Sequence, residues 1–185
     1  NRKLIWKLSK NDFRNKFAGA YFGIIWAFIQ PMVTVAVYFV VFQLGLRVQP
    51  AATGYPYICW LVSGIIPWFF IQDSITQGAK ELRINRQFIT KVKFPVSTIL
   101  TYTEVSRLFV HLILMAFMYA YVLFTIGPSW YNLQFFLYCP LMFIFFLALT
   151  WSTAPMSAFS MDFESLNVSV ISGIFLFSGI MYNSY

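Results

Sequence analysis

Four ionisable side chains stand inside apolar sequence, and their spacing limits the chemistry this chain can perform. Glu104, Arg107 and His111 follow one another at intervals of three and four residues, which puts them on one face of a helix. A charge at the centre of a bilayer costs about 2.5–3.5 kcal/mol on insertion scales, so each such residue needs a physical reason. Glu104 and Arg107 can pair with each other. The pair sits near the start of its apolar run, where it can reach interfacial water. That position favours a structural pair over a polar track or proton path through the bundle. Asp73 lies sixteen residues into the preceding apolar run, roughly 24 Å along a helix. It is therefore near one side of a hydrocarbon core about 30 Å thick. A polar position near a gate and a helix-end carboxylate reaching water are equally open for it.

Other catalytic patterns are missing from the sequence. It contains no GxxxxGK[ST] and no GxSxG, so neither a phosphate-cradling loop nor a nucleophile elbow is encoded. The one histidine, His111, has no Cys or His at ligand spacing, and no metal is expected. A membrane-embedded enzyme, such as a glycan-modifying acyltransferase, would have to use His111 with Glu104. Seven residues apart, their Cα atoms lie about 10.5 Å from each other on a helix, too far for contact without Arg107 between them. No catalytic residue is assigned.

Composition supports the same exclusions. Of 185 residues, 59% are hydrophobic and 10% charged, and the mean hydropathy is +0.69. About a quarter of the residues of a soluble domain are charged, so a soluble enzyme and a disordered chain are both excluded and the bilayer is the expected solvent. The net charge of +7 comes from basic clusters beside apolar runs, the pattern of cytoplasmic membrane loops rather than of a nucleic-acid surface. Cys59 and Cys139 each stand in apolar sequence and are expected to pack as small hydrophobes, not as a disulfide. The chain opens on Asn1 and closes at Tyr185 within apolar sequence, so a fragment of a longer protein is expected.

The elements that carry these residues are read as an all-α polytopic transmembrane helix bundle behind an N-terminal interfacial helix. Residues 1–21 mix Trp6, Phe13 and Phe17 with six Lys and Arg and read as a cytoplasmic amphipathic helix in the interface. The transmembrane domain, 22–185, has expected spans at about 22–46, 57–77, 99–126, 133–154 and 167–185. A kink is expected at Gln30-Pro31. Gly19 and Gly23 match GxxxG, a weak sign of helix pairing. Turn residues fill 47–56, Gly127-Pro128-Ser129 breaks the third run, and 155–166, with Asp162 and Glu164, reads as a short loop. The segment 78–97 holds Lys80, Arg83, Arg86, Lys91 and Lys93, so it and the N-terminus are placed in the cytoplasm. Tyr55, Tyr57, Trp60, Trp130 and Tyr131 then mark the outer interface.

The sequence Gly23-Ile24-Ile25-Trp26-Ala27-Phe28-Ile29-Gln30-Pro31, then Ser63-Gly64-Ile65-Ile66-Pro67-Trp68-Phe69-Phe70, and then Lys91-Val92-Lys93-Phe94-Pro95 resemble motifs of one family. It is the membrane-spanning subunit of type-2 ABC exporters of polysaccharide: O-antigen, capsule and teichoic-acid permeases. Later motifs are degraded. In Ser157–Asp162 only the Asp of the family's N-x-x-x-R-D is kept, and Ser178-Gly179-Ile180-Met181-Tyr182 has Gly179 where the family has Pro. The resemblance covers nearly the whole chain. It implies about five of six spans, with the two outer re-entrant helices and the sixth span absent here.

What the resemblance implies is a permease subunit of the bacterial cytoplasmic membrane that pairs with a second copy of itself as a homodimer. Two separate P-loop ATPase subunits, which hold ATP and Mg, would power export of a lipid-linked glycan. No cofactor belongs to this chain, and membrane lipid is its other partner. The ATPase-coupling loop maps to 78–97, with Glu81, Arg83, Arg86, Lys91, Lys93 and Phe94 as docking candidates. The glycan conduit maps to the aromatics Trp26, Tyr38, Phe42, Phe175 and Phe177. A type-2 ABC permease for another lipid or for drugs is the nearest alternative.

Overall fold

The computed structural model describes residues 2–19, 21–45, 56–91 and 94–180. Tyr55, Val92, Lys93, Met181 and Tyr182, all named from the sequence, lie outside the described residues. Among those described, every regular element is helical. The helices are α1 (Arg2–Lys16), α2 (Trp26–Phe39), α3 (Tyr57–Ile84), α4 (Arg86–Lys91), α5 (Val96–Thr125), α6 (Gln134–Phe159) and α7 (Met161–Phe177). A 3₁₀ turn, Gly23–Ile25, leads into α2, and a π-helical turn, Val40–Gly45, extends it. The stretches Gly23–Gly45, Tyr57–Ile84, Val96–Thr125 and Trp130–Phe159 are long and apolar enough to cross a membrane.

Helix α3 is the axis of the bundle. It packs against α5 and α6 most extensively, and also against α2 and α7. In its most apolar stretch 39% of residues are buried, against 6% in the corresponding stretch of α2, so α2 is peripheral. One apolar core joins Tyr57, Leu61, Ile65 and Ile66 of α3 to Leu114, Met118 and Val122 of α5. A second, smaller one joins Leu82, Leu100 and Ala154 at the opposite end of α3. In lipid these contacts hold by close packing rather than by exclusion of water, since lipid tails are as apolar as the side chains.

Several sequence expectations change. The segment 78–97 does not begin as a loop, because α3 runs on through it to Ile84. It then turns at Asn85, whose side chain donates to the Glu81 carbonyl at 3.0 Å, and restarts as α4. The loop foreseen at 155–166 contracts to one extended residue, Ser160. Its hydroxyl accepts from the Asp162 amide at 3.2 Å and caps α7. Pro155 deletes one backbone donor but does not stop α6. The last helix begins at Met161 rather than near 167 and has 17 residues, fewer than the ~20 that a perpendicular crossing needs. Gly19 and Gly23 have φ of +91° and +52° with open space around them. They are turn residues between α1 and the first span, not a helix-pairing motif. Helix α1 lays Trp6 and Phe13 edge-on against Phe109 of α5, with ring centroids 5.0 and 6.2 Å apart, and keeps its Lys and Arg exposed.

Among the described glycines, Gly78 has the tightest surroundings. A methyl group there would meet the Thr150 Cγ2 at 2.8 Å and its Oγ1 at 3.0 Å. Gly78→Ala is therefore expected to cost about 1–3 kcal/mol through overpacking. Adding Thr150→Ser removes the methyl group and should recover part of that loss. Thermal unfolding of the detergent-solubilised full-length chain measures both, and an unchanged midpoint for Gly78→Ala would show that this seam is loose.

Candidate functional site

The polar centre of the bundle is assembled from three helices. Along α3, Ser74, Gly78 and Glu81 recur every three or four residues and share a face, with Asp73 beside them. Helix α5 contributes Glu104 and Arg107, and α6 contributes Thr150. Arg107 is the hub. Its two terminal nitrogens donate to Glu104 Oε1 at 2.9 Å and to Glu81 Oε2 at 2.6 Å. Its Nε lies 3.5 Å from Asp73 Oδ2. Glu104, fully buried, also accepts from Ser74 Oγ at 3.0 Å and from Thr150 Oγ1 at 2.9 Å. Asn85 Nδ2 donates to Glu81 Oε1 at 3.1 Å.

The three carboxylates differ in their stake. Glu81 and Glu104 are buried, and each makes a short charge-assisted hydrogen bond to the guanidinium. Asp73 is farther from Arg107, and 47% of its side chain is exposed, so screening leaves that pair about 0–1 kcal/mol. Glu104 and Arg107 do pair as their spacing suggests, but α3 and α6 complete the network, which a helical-face argument on α5 alone does not show. No hydrogen bond joins Glu104 to His111 among the described residues; the imidazole instead faces the Phe70 ring at 5.0 Å.

The residues assigned to the coupling loop separate into two groups. Glu81 turns inward to Arg107. Arg83 bonds the Ser157 carbonyl at 2.9 Å and Glu164 at 2.8 Å, while Lys80 reaches Glu164 at 3.4 Å. These bonds tie the end of α3 to the α6–α7 junction. Arg86 and Lys91 are exposed on α4, and Phe94 is partly buried behind it. Phe88, 58% exposed on the same helix, was not singled out from the sequence. Its signal was an aromatic residue within an otherwise polar basic segment.

The conduit aromatics separate too. Phe175 of α7 lies 5.8 Å from the Tyr38 ring, which lies 6.3 Å from Phe42. Trp68 stacks on Phe175 at 5.1 Å, and the four line a recess of about 490 Å³. Trp68 was read only as part of a motif. Trp26 instead packs on Phe22 at 5.9 Å, and Phe177 is 88% exposed. Beside the recess an open cleft of about 820 Å³ runs from Tyr38 and Trp68 past Asp73 and His111 to Arg107.

No family model matches this sequence. Three curated relatives do. An "O-antigen export system permease protein RfbA" of Myxococcus xanthus is 22% identical over 182 residues, which is 98% of this chain and 68% of that protein. Two proteins of the same name from Klebsiella pneumoniae are 28% and 27% identical over 96 residues, 52% of this chain and 36% of each of them. The chain is similar to permeases of O-antigen export systems. This likeness agrees with the resemblance drawn from the sequence motifs. With four membrane-compatible helices among the described residues, the chain is a multi-pass membrane protein.

Removing the hub cation isolates two buried carboxylates. Arg107→Met should cost about 3–5 kcal/mol, read as a lower thermal midpoint and a lower yield of inserted chain. Adding Glu81→Gln and Glu104→Gln should restore much of it, whereas Asp73→Asn alone should change stability by less than about 1 kcal/mol. An Arg107→Met chain as stable as the parent would show that the network is not structural.

Proposed function

We propose that this chain is the membrane-spanning permease subunit of an ATP-driven exporter that moves lipid-linked polysaccharide of the O-antigen type across the bacterial cytoplasmic membrane. The observation that carries the reading is the likeness to the Myxococcus xanthus permease along 98% of this chain. The helical bundle supports it, because the helices long enough to cross a membrane share one central helix, α3.

In this reading the N-terminus and α4 face the cytoplasm, where Lys and Arg collect. In this reading the energy comes from a P-loop ATPase subunit that holds ATP and Mg, as the resemblance to ABC permeases implies. That partner docks on the exposed face of α4, through Arg86, Phe88 and Lys91. An exposed aromatic flanked by cations suits an acidic groove: the ring supplies buried area and the charges set orientation. A push on α4 passes through Asn85 to the end of α3, where Arg83 and Lys80 hold Glu164 of α7. Two copies pair to enclose the path of the glycan. The aromatic recess of Tyr38, Phe42, Trp68 and Phe175 lines part of it, since the C–H faces of sugars stack on flat apolar rings.

The test is purification of the tagged full-length chain from mild detergent, with mass spectrometry of what accompanies it. A stoichiometric P-loop ATPase is expected, and its absence even from crosslinked membranes would overturn the reading. Reversing Arg86 and Lys91 to Glu with Phe88→Ala should lower glycan export at least about tenfold while the chain still inserts. Normal export by that variant would remove α4 as the docking element.

A further inference from the structure

Helix α1 gathers its charge on one ridge. Lys3, Lys7, Lys10 and Arg14 follow one another at intervals of four, three and four residues, so they share an arc of about 60° on the helix. All four are exposed. No ion pair or side-chain hydrogen bond engages any of them among the described residues. The one acid of α1, Asp12, already pairs with Lys16 at 3.5 Å. Like charges at these spacings repel one another and weaken a helix. The ridge therefore favours a partner of opposite charge.

The rest of the helix fixes the depth at which this ridge lies. Ile5, Leu8, Ser9 and Asp12 form its less exposed face, and α5 is the helix it packs on most extensively. Trp6, Phe13 and Phe17 occupy the flank between that face and the ridge, with Trp6 still 59% exposed. Helix α5 has 30 residues, about 45 Å of helix, whereas a hydrocarbon core of about 30 Å takes only ~20 of them. Exposed Trp130 and Tyr131 mark the outer interface just beyond its end. Counted back from Thr125 over about 20 residues, the crossing ends near Ser106. Phe109, which meets Trp6 and Phe13 edge-on, is one turn inside that limit. Helix α1 thus lies along the edge of the hydrocarbon. Around its surface the aromatic flank, the basic ridge and then the exposed Asn11 and Asn15 repeat the order of a leaflet: acyl chains, headgroups, water.

The cations of α4 stand at a different level. Counted over about 20 residues from Tyr57, α3 leaves the hydrocarbon near Thr76, and its end at Ile84 is about 12 Å farther on. That exceeds the Debye length of about 8 Å at physiological salt. Lipid charge is felt at the α1 ridge and is screened where α4 begins.

We propose that the ridge of Lys3, Lys7, Lys10 and Arg14 is a binding surface for anionic lipid headgroups, selecting them over zwitterionic ones in the leaflet where α1 lies. The four cations supply the attraction, and Trp6 and Phe109 hold the helix at headgroup depth. The proposal stands on the charge and depth of α1 and holds whatever the bundle transports.

The test places the full-length chain in vesicles of phosphatidylcholine with a minority of phosphatidylglycerol. A trace of one lipid or the other carries a diazirine beside its headgroup. Mass spectrometry reads labelling of the α1 peptide, normalised to labelling of α6. The phosphatidylglycerol probe is expected to label α1 about fivefold more than the phosphatidylcholine probe, the factor one cation supplies near an anionic surface. Changing the four residues to Gln, a good helix former, should bring that ratio to about one at an unchanged thermal midpoint. Lys3→Arg, Lys7→Arg and Lys10→Arg together should retain it, and Arg86→Gln with Lys91→Gln should leave it as it was. In the parent chain, raising salt from about 0.1 M to about 1 M shortens the Debye length from about 10 Å to about 3 Å and should abolish the preference without any substitution. Equal labelling of the parent by the two probes overturns the inference. So does a ratio unmoved by the four Gln substitutions, or one lost equally in the α4 variant, which would make it a response to net charge. Crosslinking of α1 to an acidic protein in place of any lipid preference would assign the ridge to protein docking and overturn it as well.

Discussion

Arg107 cannot lose its charge, and it is almost wholly buried in the interior of a membrane bundle. That constraint organises the rest of the structure. A buried guanidinium is tolerated only when carboxylates of good geometry surround it. Glu104, one turn earlier on the same helix, satisfies part of the fork, but a single carboxylate leaves other donors unmet. Glu81 must come from α3, and for its short chain to reach Arg107 the two helices must lie close. The second oxygen of Glu104 and the spare lone pair of the first then recruit Ser74 and Thr150, which draws α6 against α3. Gly78 is the residue that lets this happen, because any side chain there would collide with Thr150.

The network fixes register where apolar packing does not. Leu, Ile and Phe side chains in lipid gain little by choosing one neighbour over another of similar shape. A hydrogen-bonded ion network has one low-energy arrangement and many poor ones. The chain therefore has a specified centre of α3, α5 and α6, with α2 held more lightly at the edge. The half-buried aromatics of α2, the exposed Phe177 of α7 and the cations of α4 lie outside that centre. Such a division suits the proposed permease role, which needs a rigid part to transmit force and peripheral surfaces free for contact.

The membrane class and the all-helical architecture were legible in the sequence, because hydropathy and charge act locally and every backbone group in lipid must be satisfied within its own helix. So was the Glu104–Arg107 pair, since three residues along a helix is a fixed distance. The break at Ser160 was not. Proline, glycine and serine mark several plausible stops between 155 and 166, and only capping of the Asp162 amide selects one. Glu81, Arg83 and Arg86 looked alike as charges in one basic segment. Whether each faces Arg107, Glu164 or solvent depends on how far α3 continues and what lies beside it.

The sequence by itself thus determined the solvent, the helical class and the family likeness, all set by residue type and short-range spacing. Only the tertiary structure decided that Glu81 and Thr150 close the network around Arg107. It alone brought Trp68 together with Tyr38, Phe42 and Phe175, and buried His111 against Phe70. These pairings span tens of residues, and the rotation of one helix about its axis, which no local pattern encodes, chooses between them.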